Sequence, residues 1–375
     1  MSKVLLGDVA VEHKETCKGS KDGYPIVGLE HLVPEEITLT AWDEGSENTF
    51  TKMFRKGNVL FGRRRAYLKK AAVAPFDGIC SGDITVIEAK PDRILPELLP
   101  FIIQNDALFD FAVGKSAGSL SPRVKWEHLK NFEFELPDMD KQKELAALLW
   151  AMDDTKKSYQ KLIAATDELV KSQFMEQFGD PETNKNGYQI ITLKDLASGT
   201  LSYGSTAAAV EYDGLTRYIR ITDITESGGL TEEKKSAATS DDKYLLKDGD
   251  ILFARTGATV GKTCRYQESF GRCIYAGFLI RLVPNRDIVL PDYVFHFTKS
   301  DYYWDFVRSA QRVVAQPNIN AQEYGNMKIL LPPMEDQKVF TEFVRQSDKS
   351  KFAALRSSNL NLSLCSESRK KIRML

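Results

Sequence analysis

The chemistry this sequence offers most plainly is that of guanidinium groups held near turns. Arg63, Arg64 and Arg65 close the strand-like run GNVLFG, with Tyr67 and Lys69 just beyond, and Arg255, Thr256, Lys262 and Arg265 follow the similar run GDILFA. Two further loops, Lys115 to Arg123 and Gln311 to Asn320, contribute Lys115, Ser119 and Arg123, then Arg312, Gln316 and Asn318. Arginine pairs bidentately with guanine edges and Asn or Gln with adenine. Phosphate contact is the commoner fate of such groups, so these fifteen residues are expected to face nucleic acid, with a minority reading bases.

Other chemistry is harder to find. TGATVGKT (Thr256 to Thr263) has the look of a phosphate-binding P-loop, but its glycines, Gly257 and Gly261, stand four positions apart where that loop needs five. The corresponding stretch Arg63 to Lys69 has no Gly-Lys-Thr. A turn with Lys262 facing a phosphate backbone is the expectation. There is no glycine-rich cofactor loop after a strand, no Asn/Asp-Pro-Pro-Tyr, no Gly-x-Ser-x-Gly and no acidic cluster with nuclease spacing. His13, His31, His128 and His296 lie far apart in the sequence without metal-ligand spacing. Catalysis by this chain alone is therefore not expected, nor a resident metal or cofactor.

Charge distribution supports the arginine reading where net charge does not. The chain carries a formal charge of −1, yet Thr51 to Lys70 holds Lys52, Arg55, Lys56, Arg63, Arg64, Arg65, Lys69 and Lys70 with no acid among them. Such a run suits a phosphate-facing surface. The 375 residues suggest two or three domains, and 42 % hydrophobic content is ample for their cores. No apolar run approaches the roughly 18 residues of a membrane span, and the start MSKVLLGDVAVEHKE has no signal core. Cys17, Cys80, Cys264, Cys273 and Cys365 are unpaired in spacing, as reduced thiols would be. A cytoplasmic location follows.

The elements that position these residues occur twice. VLLGDVA (Val4 to Ala10) is echoed by ITLKDLA (Ile191 to Ala197), GNVLFGRRR (Gly57 to Arg65) by GDILFARTG (Gly249 to Gly257), and Gly118 to Gln142 by Val313 to Gln337. The last pair aligns Pro122 with Pro317, Leu136-Pro137 with Leu331-Pro332 and Gln142 with Gln337. One unit of about 190 residues is thus written twice. Within each unit, alternating strands at Ser81 to Glu88 and Tyr275 to Val283 precede a helix, Leu95 to Val113 or Pro291 to Arg308, and then a short strand, Phe132 to Leu136 or Met327 to Leu331.

Each unit leads into a long helix. From Asp138 to Phe178, Leu145, Leu148, Met152, Thr155, Tyr159, Leu162, Thr166 and Leu169 recur at steps of three and four, a coiled-coil seam that Leu149, Ile163, Val170 and Phe174 widen. Gly179-Asp180-Pro181 stops the helix. A second helix, Glu335 to about Leu375, has a thinner stripe. The expected fold is α+β: recognition domains at 1–137 and 180–332, a central helix at 138–179 and a C-terminal helix at 333–375. If the two stripes pack, the helices run antiparallel and relate the bodies by an approximate two-fold axis.

The duplicated bodies, the Leu-Pro-x-Met-x-x-Gln lead into each helix, the Gly-(Asn/Asp)-(Val/Ile)-Leu-Phe strand and the LVKSQFMEQFGDP close of the central helix together resemble the specificity subunit of type I restriction–modification systems. The resemblance covers essentially the whole chain. It implies two target-recognition domains, each reading half of a bipartite double-stranded DNA sequence. It also implies two modification subunits docked on the helices, which use S-adenosylmethionine for methyl transfer, and a restriction subunit that joins for cleavage. A self-sufficient restriction or modification enzyme, and a coiled-coil protein without a DNA role, are the alternatives.

Overall fold

The structure, a computed structural model, describes residues 2–45, 48–311 and 318–351. Two compact units divide the chain inside the central helix, between Lys161 and Leu162.

In the first unit a four-stranded antiparallel sheet orders its strands Ala10–Glu12, Ile84–Ala89, Val59–Gly62, Ala71–Val73. The run Val59–Gly62 is apolar and buried throughout because it is an inner strand of this sheet, paired on both edges. In the second unit Ser202–Tyr203, Leu279–Leu282, Ile251–Ala254 and Thr263–Arg265 form a sheet with the same order. A two-stranded ladder closes each unit: Ser2–Leu5 pairs with Glu133–Leu136, and Gln189–Thr192 with Lys328–Leu331. The duplication in sequence is a duplication of topology.

The shared Gln ties each body to its helix. Gln142 Oε1 accepts from the Leu95 amide (2.8 Å) while its Nε2 donates to Pro137 O (2.9 Å). Gln337 repeats both bonds, with the Leu290 amide (2.8 Å) and Pro332 O (2.9 Å), and adds Ile288 O (3.1 Å). Both side chains are buried. A buried amide satisfied on both ends fixes helix, strand and preceding loop at one point.

Two expectations about helices change. Leu95 to Val113 is not one helix but two, Leu99–Ile103 and Asp106–Gly114, because Asn105 caps the second through a bond from the Ala107 amide (2.9 Å). Pro291 to Arg308 likewise divides into Pro291–Phe297 and Asp301–Gln311. The second break falls at Ser300, whose Oγ donates to Phe297 O (2.7 Å).

The central helix spans Met139–Phe178, about 60 Å at 1.5 Å per residue. Asp138 Oδ1 accepts from the Lys141 amide (3.1 Å) at its start, and Gly179 takes a left-handed φ of 74° at its end. Its buried line follows the expected stripe in part: Leu145 and Met152 are partly buried against the first unit's core. Leu148, Leu162 and Leu169 are half exposed, whereas Gln142, Ala146, Leu149 and Asp153 are buried near one end and Val170, Phe174 and Phe178 near the other. Between 154 and 169 no residue of the helix is buried. Each end of the helix packs its apolar stripe on the core of its own unit.

The C-terminal helix is described over 334–351, and the remainder of the expected span to Leu375 lies outside the described residues. Within the second unit it runs antiparallel to the central helix. Phe340 meets Phe174 and Phe178 at ring separations of 5.4 and 5.5 Å, Gln177 Nε2 donates to Asp336 O (3.0 Å), and Lys351 pairs with Asp167 further along. No helix among the described residues is long and apolar enough to cross a membrane.

Candidate nucleic-acid interface

In the first unit the strands Val59–Gly62 and Ala71–Val73 form a hairpin, and the arginines sit at its closed end. The loop Lys115 to Arg123 lies against them. Arg64 and Arg123 bridge the two segments, the Arg65 amide donates to Pro122 O (2.8 Å), and the Val124 amide donates to Arg63 O (3.0 Å). Arg64 Nη2 also reaches Ser121 Oγ (3.1 Å).

Asp83, which sequence reasoning missed, organises this cluster. It receives Arg123 Nε at 2.6 Å and Nη2 at 3.1 Å, with Arg64 at 3.5 Å. The bonds from Arg123 hold its carboxyl below the ordinary Asp range. Three cations, Arg63, Arg64 and Arg123, therefore surround one anion. Arg63 Nε is buried with no hydrogen-bond partner among the described residues. Asp83 also lines a cleft of about 560 Å³ with Lys14, Thr16, Lys52 and Ser81.

Beyond the arginines, Arg65 and Lys69 take left-handed backbone (φ 54° and 52°), which costs a side-chain-bearing residue about 1 kcal/mol or more. The turn they bracket presents Tyr67, 54 % exposed. Lys69 pairs with Asp106 (2.6 Å), and Lys115 lies 5.8 Å from the Phe111 ring centroid. Ser119 is exposed beside Leu120 at the loop tip.

The run of eight basic residues is not one free face. Arg55 is held by Glu15 and by Asp77 (2.8 Å), Lys70 Nζ donates to Leu29 O (2.7 Å), and Lys52 Nζ donates to Ile84 O (2.8 Å). Acids distant in sequence neutralise Arg55, and backbone carbonyls hold Lys52 and Lys70 in place, so these side chains do not form one face with the arginines of the hairpin end.

The second unit repeats the juxtaposition. Thr256 bridges Asn318, the Ile319 amide donates to Arg255 O (2.9 Å), and Arg255 Nε donates to Asn318 Oδ1 (3.1 Å). The Arg255 guanidinium lies 4.7 Å over the ring of Tyr203, a cation–π contact. Arg312 and Gln316 lie outside the described residues.

Of two further residues of the expected set, one sits elsewhere and one is at the hairpin end but engaged by an acid. Arg265 pairs in register with Ile251, at the open end of its hairpin, and contacts Asp292 (3.3 Å). Lys262 turns to Glu226 (2.7 Å) rather than standing free. The P-loop-like stretch is a turn between two strands, with Gly257 and Gly261 at φ 69° and 88°, and it leads into Thr263–Arg265. A P-loop leads into a helix, so its phosphate cradle is not formed.

Two other groups bear on reactivity. Cys17, Cys80, Cys264 and Cys273 are free; burial pushes Cys80 and Cys264 up to about 12 and Cys273 to about 11, which keeps those thiols inert. Glu30, His31 and Asp43 approach one another, but the Gly28 amide donates to His31 Nδ1 (2.9 Å), so the neutral ring carries its proton on Nε2, toward Asp43 (3.5 Å). That is a hydrogen-bonded histidine rather than an open ligand.

Two copies of one mixed α/β body, each with a turn-and-loop cluster at the end of a hairpin and each leading into a long helix, define a duplicated recognition scaffold. The profile of the family described as "Type I restriction modification DNA specificity domain" matches residues 4–165 and again 185–361, and the chain belongs to that family. It is 26 % identical over 174 residues to the type I restriction enzyme EcoDI specificity subunit of Escherichia coli; the match covers 45 % of this chain and 35 % of that protein. The chain thus matches about a third of that relative's length. Two solved structures share its fold. One is the S subunit of a type I restriction–modification system from M. genitalium, with a TM-score of 0.59 at 12 % identity over 99 % of this chain and 95 % of that one. The other is a chain from a structure of type I restriction–modification complex assembly and conformational transition, with a TM-score of 0.51 at 20 % identity over 99 % and 97 %.

Proposed function

We propose that this chain is the non-catalytic specificity subunit of a type I restriction–modification complex. Each unit reads one half of a bipartite double-stranded DNA target through its hairpin-end cluster. The long helices set the spacing of the halves and dock two modification subunits, and a restriction subunit joins for cleavage. Methyl transfer from S-adenosylmethionine belongs to the modification subunits, and this chain holds no cofactor of its own.

The observation that carries the reading is the recurrence of one juxtaposition: Arg63 and Arg64 bound to the Arg123 loop, and Arg255 and Thr256 bound to the Asn318 loop. Family membership over both units supports it. The test is DNA binding by the assembled complex carrying Arg63→Ala, Arg64→Ala and Arg65→Ala together. Affinity is expected to fall, and the dependence of log K on log salt to flatten by about 0.9 for each phosphate no longer neutralised. Unchanged affinity and slope refute the DNA role of this face.

A further inference from the structure

The two hairpins end in the same register but not in the same chemistry. In the first unit the ladder runs from Val59↔Ile87 to Gly62↔Ile84, and the next pair is Arg63 with Asp83, joined by the Arg63 amide to Asp83 O (3.0 Å). In the second it runs from Ile251↔Leu282 to Ala254↔Leu279, and the next pair is Arg255 with Phe278, joined by the Arg255 amide to Phe278 O (3.1 Å). Residues directly opposed in an antiparallel ladder share a face, with Cβ atoms about 4.5–5.5 Å apart. One position therefore holds a carboxylate in the first unit and a phenyl ring in the second.

The surroundings differ to match. Asp83 is engaged by Arg123 and Arg64. Phe278 is 60 % exposed and stands across from an arginine whose plane is set by Tyr203 (4.7 Å) and Asn318 (3.1 Å). A large apolar side chain held in water beside a fixed guanidinium is a poor arrangement for the free protein. It suits a DNA major groove, where hydrogen-bonding base edges lie next to the apolar C5 methyl of thymine.

We infer that Phe278 is a specificity-determining residue of the second unit, contacting a thymine methyl beside the base pair that Arg255 addresses, while Asp83 makes the same position of the first unit blind to that methyl. This rests on the proposed function. It makes the half-sites chemically unequal even though the scaffold is repeated.

The test uses the full complex with its modification subunits on its mapped target, replacing each thymine in turn by deoxyuridine, which lacks only the methyl. One buried methyl corresponds to about a four-fold change in affinity. The wild-type complex is expected to bind about four-fold more weakly when one particular thymine of a single half-site is replaced. Phe278→Ala should lose that factor on the unmodified target and show no further loss with deoxyuridine, Phe278→Leu should keep most of the discrimination, and the melting temperature should be unchanged in both. The inference is overturned if no thymine of either half-site is methyl-sensitive, or if Phe278→Ala discriminates as the wild type does. A wild-type complex that binds no bipartite target at all defeats the underlying reading instead, and this inference with it.

Discussion

Replacing Gln337 by alanine removes the donor or acceptor facing three backbone groups: the Leu290 amide, Pro332 O and Ile288 O. Gln337 is fully buried, so these groups are left without that partner away from solvent. Each unsatisfied buried group costs about 1–3 kcal/mol, and counting the amide and one carbonyl gives about 2–6 kcal/mol. That is a large part of the roughly 5–15 kcal/mol typical of a domain. Gln142→Ala, which strands the Leu95 amide and Pro137 O, should act the same way on the first unit. Gln337→Glu sharpens the test, because a carboxylate still accepts from the Leu290 amide but meets Pro332 O and Ile288 O with no proton to give. It should be at least as destabilising as alanine at pH 7 and recover as acid protonates it. Urea unfolding at pH 7 and pH 5 reads all three. An alanine effect below about 0.5 kcal/mol, or a glutamate variant as stable as wild type at pH 7, refutes the role of this residue as the tie between body and helix.

Three other perturbations have definite outcomes. Asp83→Asn should release Arg123 and Arg64, costing about 1 kcal/mol or less for so accessible a network. Non-specific DNA binding should rise with a steeper salt slope, while selectivity at one half-site falls; an unchanged slope contradicts this. Because Arg123 lowers the Asp83 pKa, the network's stabilisation is present above the ordinary Asp range and fades as pH falls through the lower folded value. His296, set beside Phe295 and Phe340, is held down to about 3 by burial and by Lys299. Its unfolded form takes up a proton first, so the second unit should lose stability as pH falls from about 6.5 toward 3. Asp292 and Asp348, raised by burial, act in the opposite sense, and Lys299, held near 8, contributes a constant amount below neutrality. His296→Phe, which copies Phe101 of the first unit (Phe101 follows Leu95 as His296 follows Leu290, by six residues), should remove the histidine part of this loss in thermal melts between about pH 7 and about pH 5, and an undiminished loss contradicts the assignment. Deleting one heptad within Asp153 to Val170, with the matching deletion in the C-terminal helix, shortens the helix by about 10 Å and should shorten the unspecified DNA spacer by about three base pairs. An unchanged spacer refutes the helix as ruler.

The repeat was the most legible feature, because its anchors are backbone requirements. The Gly57 and Gly249 turns lead into inner strands of matching sheets, and Gln142 and Gln337 satisfy corresponding backbone groups. The basic turns and the later loops were legible as candidates by residue type, but that each turn bonds its loop emerged only with the fold. What was hidden depends on contacts distant in sequence. Asp83 neutralises arginines 19 to 40 positions away, and Glu15 and Asp77 claim Arg55, so a count of local charge overstated the free basic face. Arg265 and Lys262 were adjacent to the turn in sequence, but strand register sends Arg265 to the far end of its hairpin and Glu226 holds Lys262. The apolar stripe named the right helix and much of its buried face, since Leu145, Leu149 and Met152 pack on the first unit's core and Val170 and Phe174 on the second's, whereas Leu148, Leu162 and Leu169 stand half exposed. Phe278 and Tyr203 carried no signal until the sheets were aligned.

The most direct measurement is a map of DNA methylation in cells expressing this chain with the modification subunit proposed as its partner, against cells lacking this chain. Two defined half-sites separated by a fixed unspecified spacer, present only with this chain, are the predicted result, and Arg255→Ala should alter one half-site while leaving the other intact. A single contiguous motif, a pattern independent of this chain, or a variant that changes both halves alike contradicts two separate readers on one scaffold.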